Sequence, residues 1–183
     1  ARKPGDIEYL SCLVHPTVAI LTNIGPAHLE TFGSLEKIWE TKREIMKGLA
    51  PDGIVIYWAE DPWMVELASL GRLRKRLTFG LGPRADIRGE IVETSTDGMK
   101  VDIFRRSSRV GRIQLKLFGQ GNVLNALAAF TCGWILGVQD ADILSTLNDF
   151  EPPLMRGEKM AAGTSILGNP YVLIQDADFE YDP

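Results

Sequence analysis

Apolar positions change their spacing several times along this chain, and each change marks an element. From Gly5 to Leu13 the pattern predicts a short helix that stops before Pro16, with Asp6 as its N-cap. Val18-Ala19-Ile20-Leu21 is a continuous apolar run of strand length and predicts a buried strand. Ser34 can cap the next helix, Ser34 to Leu49, whose residues Leu35, Ile38, Trp39, Ile45, Met46 and Leu49 approximate helical spacing. Pro51-Asp52-Gly53 predicts a turn, and Ile54-Val55-Ile56-Tyr57 a second apolar strand. Asp61-Pro62, a cap followed by proline at the first helical position, opens a helix from Trp63 to Leu70, and Leu77 to Gly80 predicts a third strand. Alternating strands and helices argue for an α/β fold with a mainly parallel sheet covered by helices.

The pattern then shifts. Asp86 to Val92, Met99 to Phe104 and Arg112 to Leu117 are strand-like and joined by polar turns such as Thr96-Asp97-Gly98, which predicts a small antiparallel meander. Asn122 to Leu136 returns to helical spacing and ends at Gly137, and Asp140 to Leu147 forms another helix. Glu151-Pro152-Pro153 reads as a linker, so residues 1–150 form one domain, and Tyr171 to Ile174 is expected to be the first strand of a following one.

Composition adds limits rather than detail. The 183 residues are 45% hydrophobic and 24% charged, with a net charge of -4 and a pI near 5.3, which invites neither a nucleic acid nor an anionic membrane. No apolar run approaches the roughly 20 residues that span a bilayer, and no signal peptide follows the basic start. Cys12 and Cys132 lack metal-ligand spacing and read as buried free thiols, which suits a reducing cytoplasm. The chain opens without Met and stops just past a strand, so a fragment of a longer protein is expected.

Candidate chemistry gathers at four places. After the first strand, Thr22-Asn23-Ile24-Gly25-Pro26-Ala27-His28-Leu29-Glu30 puts an amide, an imidazole and a carboxylate into one loop, where open α/β sheets place their ligands. Taken alone, His28 would cap the next helix or bond a backbone carbonyl. Lys42 follows 14 residues later inside a helix, where an isolated lysine is ordinarily a solvated group. Gly119-Gln120-Gly121-Asn122-Val123-Leu124-Asn125-Ala126-Leu127-Ala128-Ala129 sets two amides one turn apart, although helix capping by Asn122 explains part of it. Arg156 after the linker and Asp176 after the last strand read otherwise as a surface arginine and a loop aspartate.

Together these strings resemble the Mur ligases, ATP-dependent amide-bond-forming enzymes of peptidoglycan synthesis. The resemblance is strongest over residues 1–49 and 119–138. It implies a three-layer α/β central domain, with the chain's end entering the carboxy-terminal ligase domain. The implied reaction activates a carboxylate of UDP-MurNAc-tripeptide as an acyl phosphate, which the amine of D-Ala-D-Ala then attacks. It further implies that His28 holds Mg²⁺ beside the ATP γ-phosphate and that Lys42 reacts with CO₂ to give a carbamate that binds metal or orients substrate. That modification needs a neutral amine, hence a lysine of lowered pKa. Thr22, Asn23 and Glu30 belong to the same substrate loop, Asn122 and Asn125 would hold adenine, Arg156 the phosphates and Asp176 the ribose. Gly121 stands where the family has histidine, Trp58-Ala59-Glu60-Asp61 replaces an Asn-Ala-Asp-Asp type of segment, and Gln175 replaces an acid. No Gly-x-x-x-x-Gly-Lys-Ser/Thr occurs, so the P-loop and an acidic metal ligand are expected upstream of residue 1, leaving the fragment inactive alone. Two alternatives stay open: a divergent non-catalytic module that binds nucleotide or a partner, and a sister ligase such as a folylpolyglutamate synthetase.

Overall fold

The computed structural model describes residues 3–25, 32–69, 75–151, 158–164 and 170–175. Its elements, in order, are α1 (Asp6–Val14), β1 (Val18–Leu21), α2 (Leu35–Lys42), a 3₁₀ turn (Arg43–Lys47), β2 (Ile54–Trp58), α3 (Pro62–Ser69), β3 (Arg76–Gly80), β4 (Ile87–Ser95), β5 (Gly98–Arg105), β6 (Ser108–Leu115), α4 (Gln120–Ile135), α5 (Asp140–Asp149), β7 (Glu158–Thr164) and β8 (Pro170–Gln175). Strands β1 to β6 form one six-stranded sheet in sequence order. Pairs β1–β2, β2–β3 and β3–β4 are parallel, whereas β4–β5 and β5–β6 are antiparallel, so the expected parallel sheet and meander are halves of one sheet.

Period-two alternation sorts the apolar side chains between two faces. Val55 and Tyr57 of β2 pack with Leu21, Trp39 and Met64, beneath α2 and α3. Ile56, one residue out of phase, packs with Phe79, Val101, Ile103, Leu127 and Phe130, beneath α4. The result is three layers. Gly89 fits this packing closely, because a Cβ there would lie 2.8 Å from a Leu127 methyl group and push it aside.

Several boundaries differ from expectation. Asp6 is the first residue of α1 rather than its cap. Gly5 caps it with φ at 90°, and the buried Glu44 carboxylate accepts the Gly5 N–H at 2.9 and 3.0 Å and the Glu8 N–H at 3.3 Å. The helix over 34–49 starts as predicted, with Ser34 Oγ accepting the Lys37 N–H at 3.3 Å, but tightens to 3₁₀ at Arg43. There Gly48 presses on α1, and a Cβ at that position would fall 2.1 Å from the Ser11 carbonyl carbon. Both cysteines are free, but Cys12 is exposed and Cys132 only half-buried. α1 turns Ser11 inward and leaves Cys12 beside exposed Tyr9, Leu10, Leu13 and Val14. Strand β6 begins four residues earlier than Arg112, and β8 is not the first strand after the linker: it pairs antiparallel with β7 in a separate two-stranded sheet.

Candidate active site

Because β1, β2 and β3 run parallel, their carboxyl ends lie side by side and the loops leaving them share one edge. Such an edge is where doubly wound sheets gather polar groups around ligands. β1 delivers Thr22 and Asn23, β2 delivers Glu60 and Asp61, and α2 delivers Lys42 from its last turn.

The Lys42 ammonium donates to the backbone carbonyl of Asn23 at 2.9 Å. Burial lowers the lysine pKa from its usual range, and the nearby Asp61 charge opposes the shift without cancelling it. Among the described residues no carboxylate ion-pairs with Lys42, so its hydrogen bond is to a neutral acceptor. An amine held this way is closer to its neutral, nucleophilic form than a solvated lysine. The Thr22 hydroxyl donates to the Asn23 side-chain oxygen at 3.5 Å, at the outer limit of a hydrogen bond.

Two carboxylates organise the backbone around it. Asp61 is 1% exposed. Its Oδ1 accepts the N–H groups of Trp63 at 3.0 Å and Met64 at 3.3 Å, capping α3 as the Asp-Pro pair predicts. Its Oδ2 accepts the Ile24 N–H at 3.0 Å and thereby reaches the β1 loop. Glu60 accepts the Trp58 indole N–H at 2.5 Å and the Gly82 N–H at 2.8 Å, with Leu81 N–H at 3.4 Å. Gly80 and Gly82 leave room for that carboxylate, since a Cβ on either would come within 2.2 or 2.6 Å of it. Trp58 and Glu60, two of the departures from family wording, are thus partners of each other.

The asparagine pair sits at the start of α4, on the opposite face of the sheet from α2. Gly119 caps the helix with φ at 87°. Asn122 is therefore not its N-cap; its amide donates back to the Phe118 carbonyl at 2.8 Å. Asn122 is half-buried and Asn125 exposed. A Cβ at Gly121 would meet nothing within 4 Å, so the missing histidine leaves open space rather than a distorted turn. His28, Glu30, Arg156 and Asp176 lie outside the described residues.

A magnesium ion favours oxygen donors. Among the described residues no group of three or more His, Cys, Asp or Glu side chains could hold a metal, and the Asp61 oxygens already accept N–H groups. The described residues by themselves therefore do not make up a magnesium site.

Residues 2–133 match the Mur ligase middle domain. The chain is 32% identical over 169 residues to the UDP-N-acetylmuramoyl-tripeptide--D-alanyl-D-alanine ligase of Bacillus subtilis, covering 91% of this chain and 35% of that protein. It is 35% identical over 182 residues to the UDP-N-acetylmuramate--L-alanine ligase of Psychrobacter arcticus, covering 97% of this chain and 36% of that protein. Among solved structures it resembles MurF from Acinetobacter baumannii, with a TM-score of 0.82 at 27% identity over 96% of this chain and 37% of that one. MurF ligase from Thermotoga maritima in complex with ADP gives 0.76 at 28% identity, over 87% of this chain and 36% of that one. The three-layer sheet, its polar parallel edge and these matches make the chain a member of the Mur ligase family, through its middle domain. It spans about a third of the length of the relatives it matches.

Proposed function

We propose that the protein carrying this chain is the ATP-dependent cytoplasmic ligase that adds D-Ala-D-Ala to UDP-MurNAc-tripeptide. The observation that carries the reading is the Lys42 amine, half-buried at the carboxyl edge of the parallel strands and bonded to the Asn23 carbonyl. Its lowered pKa suits reaction with CO₂: the ammonium first gives up a proton, then the neutral amine nitrogen bonds the carbon and releases a second proton, so that a cation is replaced by an anion with two oxygens. The carbamate of Lys42 and the imidazole of His28 would then hold Mg²⁺. Such an ion screens the repulsion between the substrate carboxylate and the ATP phosphates as the acyl phosphate forms. Asn122 and Asn125, one helical turn apart, would bind adenine by their amides. Arg156 would steady phosphate, Asp176 the ribose, and Thr22, Asn23 and Glu30 would line the substrate loop. Residues 151–183 would begin the next domain. The 183-residue chain contains no P-loop sequence and is expected to be inactive by itself.

The test is a substrate panel on the protein that carries this chain, read as ATP-dependent phosphate release. Release that requires both UDP-MurNAc-tripeptide and D-Ala-D-Ala supports the proposal. Release with UDP-N-acetylmuramate and L-alanine instead would reassign the substrate within the family, and none with either pair would favour a nucleotide- or partner-binding module.

A further inference from the structure

Asp61 does two separable things with its two oxygens. Oδ1 faces α3 and accepts the N–H groups of Trp63 and Met64, an ordinary cap. Oδ2 faces away from that helix and accepts the N–H of Ile24, 37 residues earlier in the chain. Ile24 follows Asn23, and the carbonyl of Asn23 is the atom that accepts the Lys42 ammonium. A single carboxylate therefore joins the end of β2 to the one peptide unit that positions the lysine: the Asn23–Ile24 peptide donates its N–H to Asp61 and offers its C=O to Lys42. Because a peptide group is planar, fixing its N–H fixes the direction of its C=O. Ile24 itself contributes partly buried packing beside Leu21, Trp39 and Met64, but that contact does not set the peptide's rotation.

We infer that Asp61 is a positioning residue, which clamps the Asn23–Ile24 peptide so that its carbonyl holds the Lys42 side chain at the sheet edge. The catalytic meaning of this clamp rests on the ligase reading above; the clamp itself does not. Its burial with all three N–H bonds distinguishes it from Glu60, which is exposed and ties the β3 loop rather than the β1 loop.

The chemistry of asparagine allows the two functions to be pulled apart. In Asp61→Asn one oxygen still accepts from Trp63 and Met64, and asparagine caps helices about as well as aspartate. The other position becomes an NH₂ group, which meets the Ile24 N–H donor to donor. Asp61→Ala removes both functions. Hydrogen exchange at the Ile24 amide and acylation of Lys42, followed by peptide mass spectrometry, read the clamp directly on this chain. Wild type should protect Ile24. Asp61→Asn should melt only modestly below wild type and well above Asp61→Ala, yet exchange Ile24 about tenfold faster, the scale of one lost hydrogen bond, and acylate Lys42 faster. Asp61→Ala should show both changes and melt lower. An unprotected Ile24 amide in wild type would overturn the inference without any variant, as would Asp61→Asn that matches wild type at both Ile24 and Lys42. Neither outcome depends on whether Lys42 takes up CO₂ or which substrates are joined, so a failed clamp and a failed ligase reading give different results.

Discussion

The antiparallel half of the sheet and the carboxyl edge of its parallel half handle their charges in opposite ways. In the antiparallel half, charges pair with one another. Asp102 on β5 accepts from Arg109 at 2.7 Å and from Arg112 at 2.7 and 2.9 Å, and these guanidinium groups hold its carboxyl well below the usual carboxylate range, Arg112 contributing most. Arg88 lies over the Phe104 ring, and Arg105 stacks on Trp134 while pairing with Asp140. At the parallel edge, by contrast, the Asp61 and Glu60 carboxylates bond backbone N–H groups, and Lys42 is left with a carbonyl. Paired charges add rigidity and leave little reactivity. A half-buried amine that ion-pairs with no carboxylate among the described residues is a candidate for chemistry. The division sets a meander of paired charges against a parallel edge whose carboxylates bond backbone N–H groups.

Substitutions can break that division, and the largest effect is expected at Lys42. In the protein that carries this chain, Lys42→Ala should lower the proposed ligase turnover by about 10²-fold or more, the scale of removing one group that stabilises developing charge, with the melting temperature unchanged. An equal loss on Asp102→Ala would contradict the division. Next comes Gly48→Ala, which forces a Cβ against the Ser11 backbone and separates α1 from the 3₁₀ turn. Overpacking of this kind costs about 1–3 kcal/mol, measurable by urea unfolding.

Asp102→Ala should be milder, about 1 kcal/mol, because solvent screens its half-exposed arginine partners. The sign with pH is definite. A carboxylate whose folded pKa is depressed adds stability above its unfolded pKa and loses it as pH falls toward the folded value. Wild type should therefore begin to lose its advantage over Asp102→Asn below about pH 4 and go on losing it below pH 2 in acid titration followed by circular dichroism. The smallest structural effect is expected for Asn125→Ala, at an exposed helical position where alanine is intrinsically favoured. Stability should hold or rise slightly while the affinity of the protein that carries this chain for ADP, measured calorimetrically, falls.

How far the sequence revealed these features depends on the distance over which each is determined. Strands β1 and β2 are uninterrupted apolar runs, and their length is visible locally. The start of β6 is not, because Ser108-Arg109-Val110-Gly111 is polar and glycine-bearing, and its pairing with β5 decides it. The same holds for β7, where Glu158-Lys159-Met160-Ala161-Ala162-Gly163-Thr164 has weak strand propensity and depends on β8. Lys42 stood out only through the family resemblance, since nothing in Thr41-Lys42-Arg43 marks a half-buried amine. Asp61 was legible as a helix cap from the following proline, but its second partner is 37 residues away and leaves no local trace. Cys12 was misjudged because helical spacing alone does not say which face meets the core.

The most direct measurement is ¹³C NMR of this chain in labelled bicarbonate at mildly alkaline pH, with Lys42→Ala as the control. A lysine carbamate resonance present in wild type and absent in the variant is the predicted result. No carbamate, together with acylation of Lys42 at the same rate as exposed Lys37, would mean that the amine is an ordinary surface group and that the parallel edge is not prepared for the proposed chemistry.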